Sequence, residues 1–293
     1  MRVLSATSAH NLSSFITAVH RHHLHSHKTV FRPPQTDKCQ YSLQEYYQKK
    51  AKKYWDSFYK RHQNKFFKDR HYLEKDWGSY FSDDSCFQNG KVVLEVGCGA
   101  GNTIFPLVAA YPKLYVHACD ISPCAIQLVK SHLEFREDRV NAFVCDAVRD
   151  DLSAKINPSS VDVVTLIFML SAVSPKKMPL ILQNIKAVLK PDGYVLVRDY
   201  AIGDFAQVKL RDKNQMIGDD FFVRGDGTCS FYFSEDFLSS LFLESGFNTI
   251  DINIYFKQIQ NHSRDIVMDR RWIRAIFKNC DSSIRNSTLN SRH

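Results

Sequence analysis

VVLEVGCGAGN, Val92 to Asn102, is an apolar run that ends in three glycines at alternate positions, Gly97, Gly99 and Gly101. Val92, Val93, Leu94 and Val96 have the β-branched and aliphatic character of a strand buried on both faces. The glycines remove every Cβ where the backbone must bend. The residues after Asn102 have helical character, so the glycines sit between a strand and a helix N-terminus. That is the geometry of a nucleotide-binding βαβ unit, whose ligand packs against bare backbone at the carboxyl end of the strand.

Working outward, the chain alternates strands and helices, which predicts an α/β fold with a mostly parallel sheet and right-handed crossovers. Expected strands are Val92–Val96, Leu114–Cys119, Val140–Cys145, Val161–Phe168 and Tyr194–Val197, with a helix over Thr103–Tyr111 after the first. Ser122 followed by Pro123 reads as a cap opening a helix to about Leu133. Ser174 and Pro175 repeat that signal for a helix to about Lys190, broken by Pro191, Asp192 and Gly193. Phe221–Phe233 reads as a hairpin around Gly225 to Gly227, with Arg224 near its turn, and Ser234 caps a further helix that ends before Gly246. Thr249–Phe256 and Trp272–Phe277 complete a count of seven main strands.

The chain has 293 residues, a formal charge of +8 and 44% apolar residues, enough for one well-buried domain with extensions. Between Tyr46 and Arg70 stand nine Lys or Arg against two acids, Asp56 and Asp69. Tyr47, Ala51, Tyr54, Trp55, Phe58 and His62 share one helical face there, with most lysines on others, which predicts one amphipathic helix. Its aromatic face either packs on the domain or covers a ligand, while its cations are solvated or meet phosphates. Residues 1–36 contain no Asp or Glu and six His, and read as a disordered tail, with organelle targeting left open. The expected divisions are therefore 1–40 (tail), 41–88 (aromatic-basic segment), 89–280 (main domain) and 281–293 (polar tail). Eight cysteines without a CxxC pair argue against a disulfide framework or a zinc site, so no metal is expected. No window approaches a membrane span.

The glycine spacing departs from G-x-G-x-x-G, because Asn102 stands at the third glycine's place, and no Gly-Lys-Ser/Thr is present. Glu95, two residues before Gly97, repels a phosphate and suits a cationic or amino-bearing ligand. Asp120 ends the second strand, where an acid accepts ribose hydroxyls, and Asp146 ends the third, where it meets an exocyclic amine. Three acids at successive strand ends fit S-adenosyl-L-methionine, which has an amino group, a sulfonium, a ribose diol and an adenine but no phosphate.

With its flanks, this region resembles the class I methyltransferases, and within them the tRNA N3-methylcytidine methyltransferases. The resemblance covers roughly Tyr41 to Lys278. It is carried by KYWDSFYKRHQNKFFKDRHYL (Lys53 to Leu73), LEVGCGAGN (Leu94 to Asn102), ACDISP (Ala118 to Pro123), SVDVVTLIFMLSAVSPKKM (Ser160 to Met178), VLVRDYAIGD (Val195 to Asp204), FFVRGDGTCSFYFSEDFL (Phe221 to Leu238) and RRWIRAIF (Arg270 to Phe277). It implies a seven-stranded Rossmann-like sheet with helices on both faces and an adenosylmethionine site. The site residues carried over are Trp55, Tyr59, Gly97, Asp120, Asp146, Ala147 and Ile167, joined by Glu95, Gly99 and Gly101 from the loop itself. The family often has Leu where this chain has Ala147.

The implied substrate is cytidine 32 of a tRNA anticodon loop, with an aminoacyl-tRNA synthetase such as seryl-tRNA synthetase as a partner of some relatives. Asp199 is the candidate for stabilising the alkylated base, with Arg198 and Tyr200 positioning it; an Arg198–Asp199 ion pair is the competing reading. No Asn/Asp-Pro-Pro-Tyr follows the fourth strand, where Phe168 to Ser171 stand, which disfavours exocyclic-amine methylation. A small-molecule or protein methyltransferase, or an RNA-binding protein that keeps the fold without catalysis, remain as alternatives. Cytoplasm or nucleus is the favoured location, with mitochondrial or plastid import compatible with the acid-free N-terminus.

Overall fold

The computed structural model describes residues 42–82, 90–261 and 265–280. Both expected tails, and the division placed between residues 88 and 89, lie outside the described residues. β1 (Val92–Val96), β2 (Tyr115–Asp120), β3 (Val140–Val144), β4 (Val161–Ile167) and β5 (Leu189–Tyr200) run parallel. Short strands β6 (Met216–Gly218), β7 (Phe221–Val223) and β8 (Cys229–Phe231) form a separate small sheet. β9 (Phe247–Asn261) and β10 (Ile266–Asn279) close the main sheet, whose order is β3-β2-β1-β4-β5-β10-β9. β10 is antiparallel to both its neighbours, so β9 again runs with the first five. The order reverses between β1 and β4, and ligands of such sheets bind at that switch point.

Alternation along the strands sends side chains into two cores. On one face Leu94, Val164, Val197 and Ala275 pack beneath α6 (Met178–Val188) and α8 (Glu235–Glu244), where Phe242 stacks on Phe277 at 3.7 Å. On the other, Val93, Val163, Leu196 and Ile276 pack beneath α3 (Tyr72–Phe81), α4 (Ile104–Ala110) and α5 (Pro123–Lys130). α7 (Phe205–Asp212) follows β5, capped by Asp204. The expected sheet, its helices on both faces and the 221–233 hairpin are all present.

Four local expectations are corrected. The aromatic-basic stretch is two helices, α1 (Leu43–Lys49) and α2 (Ala51–His62), because Lys50 leaves helical geometry at φ −99°, ψ 5°. Its aromatic face is divided accordingly: Tyr47 joins the sheet core, while Phe58 and Tyr59 form a separate cluster with Ala100 and Ala125. α5 stops at Lys130, which leaves the Leu133 side chain fully exposed. α6 ends at Val188 rather than Lys190, and Pro191 to Gly193 form an irregularity inside β5 instead of a break before it. Arg198, Asp199 and Tyr200 are thus the last residues of β5. β9 and β10 are far longer than expected, because they pair with each other beyond the end of β5, where polar residues hide the strand pattern.

Candidate active site

A cleft of about 1230 Å³, counted to its open mouth, lies at the carboxyl ends of β1, β2, β4 and β5. Its floor is the glycine loop. Gly97 and Gly99 have φ of 73° and 55°, the left-handed region that side chains avoid. A Cβ on Gly97 would collide with Met169, and one on Gly99 would stand 2.5 Å from the Tyr59 hydroxyl. The Gly97 and Cys98 amides donate to the Cys119 carbonyl at 2.8 and 3.0 Å, which ties the loop to β2. Gly101 lies outside the lining; it turns the chain into α4 beneath the Phe105 ring.

Glu95, Asp120 and Asp146 all face this cleft. Glu95 is 3% exposed and its Oε2 has no hydrogen-bond partner. Burial pushes its carboxyl up to about 8, against the opposing Thr103 hydroxyl and Arg70 charge. A buried carboxyl group with one unpaired oxygen beside a cleft is a group that an ammonium ligand would satisfy in its ionised form. Asp120 accepts from the Gly99 amide at 3.0 Å and the Ser122 amide at 2.9 Å. Burial raises its carboxyl to about 6, with the Ser122, Gly99 and Ile121 amides holding it down. Asp146 accepts from the Val148 amide at 3.1 Å and begins a wall continued by Ala147, with Ile167 close by. Asn184 fixes that wall from α6, donating to the Ala147 and Asp150 carbonyls at 3.1 and 2.6 Å.

α2 closes one side, with Trp55 and Tyr59 lining the cleft and their rings stacked 6.2 Å apart. Tyr59 is 5% exposed. The neighbouring end of the cleft is aromatic and cationic. Phe168 and Tyr200 are 4.9 Å apart, the Arg70 guanidinium lies 5.1 Å from the Phe168 ring, and that of Arg224 lies 5.6 Å from the Tyr200 ring.

Of the three candidate catalytic residues, only Tyr200 lines the cleft. Arg198 is directed to the far face, where it meets Asp76 of α3 at 2.6 Å and packs over the Tyr72 and Tyr255 rings. Asp199 is fully buried beneath the cleft and accepts from the Ser171 and Tyr200 amides at 3.0 and 2.9 Å. Burial raises its carboxyl to about 6, with the Ser171 and Tyr200 hydrogen bonds and the Arg224 charge opposing. Neither the assigned base-binding role of Arg198 nor an Arg198–Asp199 pair is found. Successive strand residues face opposite ways, so the two side chains point apart.

Residues 94–195 match a methyltransferase domain family. The human tRNA N(3)-cytidine methyltransferase METTL6 is 40% identical over 78% of this chain and 81% of its own length. The tRNA N(3)-methylcytidine methyltransferase trm141 of Schizosaccharomyces pombe is 38% identical over 80% of this chain and 94% of its own. This chain belongs to the tRNA N3-cytidine methyltransferase family. Among solved structures, a SAM-dependent methyltransferase from Anabaena variabilis shares the fold with a TM-score of 0.58 at 12% identity, over 86% of this chain and 98% of that one. A Burkholderia thailandensis 1,6-didemethyltoxoflavin-N1-methyltransferase does so with a TM-score of 0.53 at 16% identity, over 84% and 94%.

For a tRNA N3-cytidine methyltransferase the acidic end of the cleft fits adenosylmethionine. The orphaned Glu95 oxygen suits its amino group, the Cβ-free loop admits close approach, and Asp120 and the Asp146–Ala147 wall suit ribose and adenine. Sequence reasoning missed Arg70 and Phe168 as lining residues, and noted Arg224 only as near a turn. The signal for Arg70 lay in its basic-aromatic setting. For Phe168 it lay in the place after β4, where φ is 55°. Among the described residues no group of three His, Cys, Asp or Glu is arranged for a metal, and no helix is long and apolar enough to cross a membrane.

Proposed function

We propose that this chain methylates N3 of a cytidine in tRNA, at position 32 of the anticodon loop, with adenosylmethionine as donor. The observation that carries the proposal is the two-ended cleft, acidic and glycine-floored where a nucleoside donor fits, aromatic and arginine-lined beside it. Adenosylmethionine, when bound, supplies an electrophilic methyl on a sulfonium. Cytosine N3 carries an in-plane lone pair and no proton at neutral pH, so the protein has no proton to remove. Among the described residues no histidine lines the cleft, in keeping with that chemistry.

Alignment is then the main task, and holding two reactants in line removes an entropic barrier of about 7–11 kcal/mol in favourable cases. Tyr200 and Phe168 offer ring faces for a flipped-out base, and those faces favour the cation that methylation creates. Arg70 and Arg224 offer donors to the base or its phosphates. Asp199 is a positioning residue: it holds the Ser171 and Tyr200 backbones and offsets the Arg224 charge. N3 lies on the pairing edge, so the target must be unpaired, as in an anticodon loop.

The helical segment over the cleft, with Lys52, Lys53, Arg61 and Lys65 exposed, serves as both cofactor lid and tRNA contact in this reading. A synthetase such as seryl-tRNA synthetase as partner, and a cytoplasmic or nuclear location, extend the proposal. The expected outcome with tRNA in which cytidine 32 is replaced by uridine is loss of labelled methyl incorporation. Undiminished incorporation would move the target elsewhere.

A further inference from the structure

Between Trp55 and Tyr59 on α2 stands Asp56, whose side chain takes a different direction from theirs. Its Oδ1 accepts from the Ser122 hydroxyl at 3.0 Å and from the Cys124 amide at 3.0 Å, and its Oδ2 meets Lys60 Nζ at 2.8 Å. Ser122 and Cys124 open α5, directly after the cofactor-facing Asp120. Ser122 is fully buried, and its hydroxyl also caps α5 by accepting from the Ala125 amide at 3.2 Å. Its own amide donates to Asp120 Oδ1 at 2.9 Å, and Asp120 Oδ2 takes the Gly99 amide at 3.0 Å. Polar contacts thus run without a gap from Lys60 on the outer face of α2 through Asp56, Ser122 and Asp120 to the glycine loop.

Apolar packing alone does not fix how α2 is turned. Phe58, Tyr59, Ala100 and Ala125 hold it against the loop and α5, but such contacts are non-directional. A carboxylate that takes two donors on a second helix is directional, and charge-assisted hydrogen bonds are about twice as strong as neutral ones. Trp55 and Tyr59 lie one residue before and three after Asp56, so any rotation of α2 carries both rings with it.

We propose that Asp56 is a positioning residue for methyl transfer: through Ser122 and Cys124 it sets the rotation of α2, so that Trp55 and Tyr59 close over the donor while the turn carrying Asp120 stays in place. The proposal rests on the cleft being the adenosylmethionine site. Removing the carboxylate loosens the lid and weakens donor binding, but leaves the base-binding end intact.

The test uses the full chain with S-adenosylhomocysteine in calorimetry and steady-state transfer to tRNA. Asp56→Ala is expected to weaken S-adenosylhomocysteine binding at least about tenfold and to raise KM for the donor similarly, with kcat at saturation within about twofold of wild type. Asp56→Asn keeps an oxygen for both donors while giving up the charge and the Lys60 pair, so it should recover part of the affinity lost in Asp56→Ala. A merely structural residue would lower the active fraction, and hence kcat, without moving KM. If Asp56→Ala does not fold, Ser122→Ala, which removes one of the two donors, should raise the dissociation constant by about threefold. Wild-type affinity and KM in Asp56→Ala, or in Ser122→Ala where Asp56→Ala does not fold, would overturn the proposal. If wild type itself does not bind S-adenosylhomocysteine, the cofactor reading fails and the proposal with it.

Discussion

Glu95 is the residue at which the site's chemistry is most exposed to measurement. Its carboxyl stands near 8 in the cofactor-free protein against an ordinary 4.5, with burial as the cause. Below about pH 4.5 it is protonated in folded and unfolded chains alike. Between there and pH 8 the unfolded chain ionises it and the folded chain does not, so folding stability is lost as pH rises through that window. Glu95→Gln removes this cost. The cofactor-free variant should therefore melt higher relative to wild type at pH 8 than at pH 5, by roughly 3–6 °C more, in thermal scans. The same variant should lose donor affinity. In wild type an ammonium ligand draws the carboxyl into its ionised form, so binding at pH 7 should release a proton. Calorimetry in buffers of different ionisation enthalpy reads that proton, and its absence would mean that Glu95 does not meet the amino group.

Among the elements, α3 shows why sequence spacing alone misplaced part of the site. Arg198 and Arg274 stand directly opposite each other on β5 and β10, and like charges so placed repel. Asp76 on α3 bridges them, at 2.6 Å to Arg198 and 3.6 Å to Arg274. Asp76→Ala should cost about 1–3 kcal/mol of stability in urea unfolding, below the full value of a buried pair because the groups are partly exposed. Arg198 and Asp76 are 122 residues apart, and nothing local in RDY reveals that partner. The glycine loop and its acids were legible because their geometry is local: one strand, one turn, one acid at each strand end. The pairing of β9 and β10 beyond the sheet, the break at Lys50 and the direction of Arg198 depend on contacts distant in sequence. Tyr200 lines the cleft and was named from its place at the end of β5, whereas Arg70 and Phe168 were missed because the cleft's second end is assembled from the N-terminal segment, β4, β5 and the β7–β8 turn.

At the scale of the whole molecule, the charge of +8 and its placement matter more than any single contact. Lys52, Lys53, Arg61 and Lys65 are exposed on or just beyond α2, on the same segment that lines the cleft with Trp55 and Tyr59. Replacing these four by Gln should flatten the dependence of log tRNA affinity on log salt by about 2–4 in slope. An unchanged slope would place the RNA on another surface. The central claim is tested most directly by incubating the protein with unmodified tRNA and labelled adenosylmethionine, with a synthetase added in parallel, and digesting the RNA for nucleoside mass spectrometry. Label in 3-methylcytidine, lost in Asp120→Ala, is the predicted result; label in another nucleoside, or none with any tRNA with or without the synthetase, would contradict it.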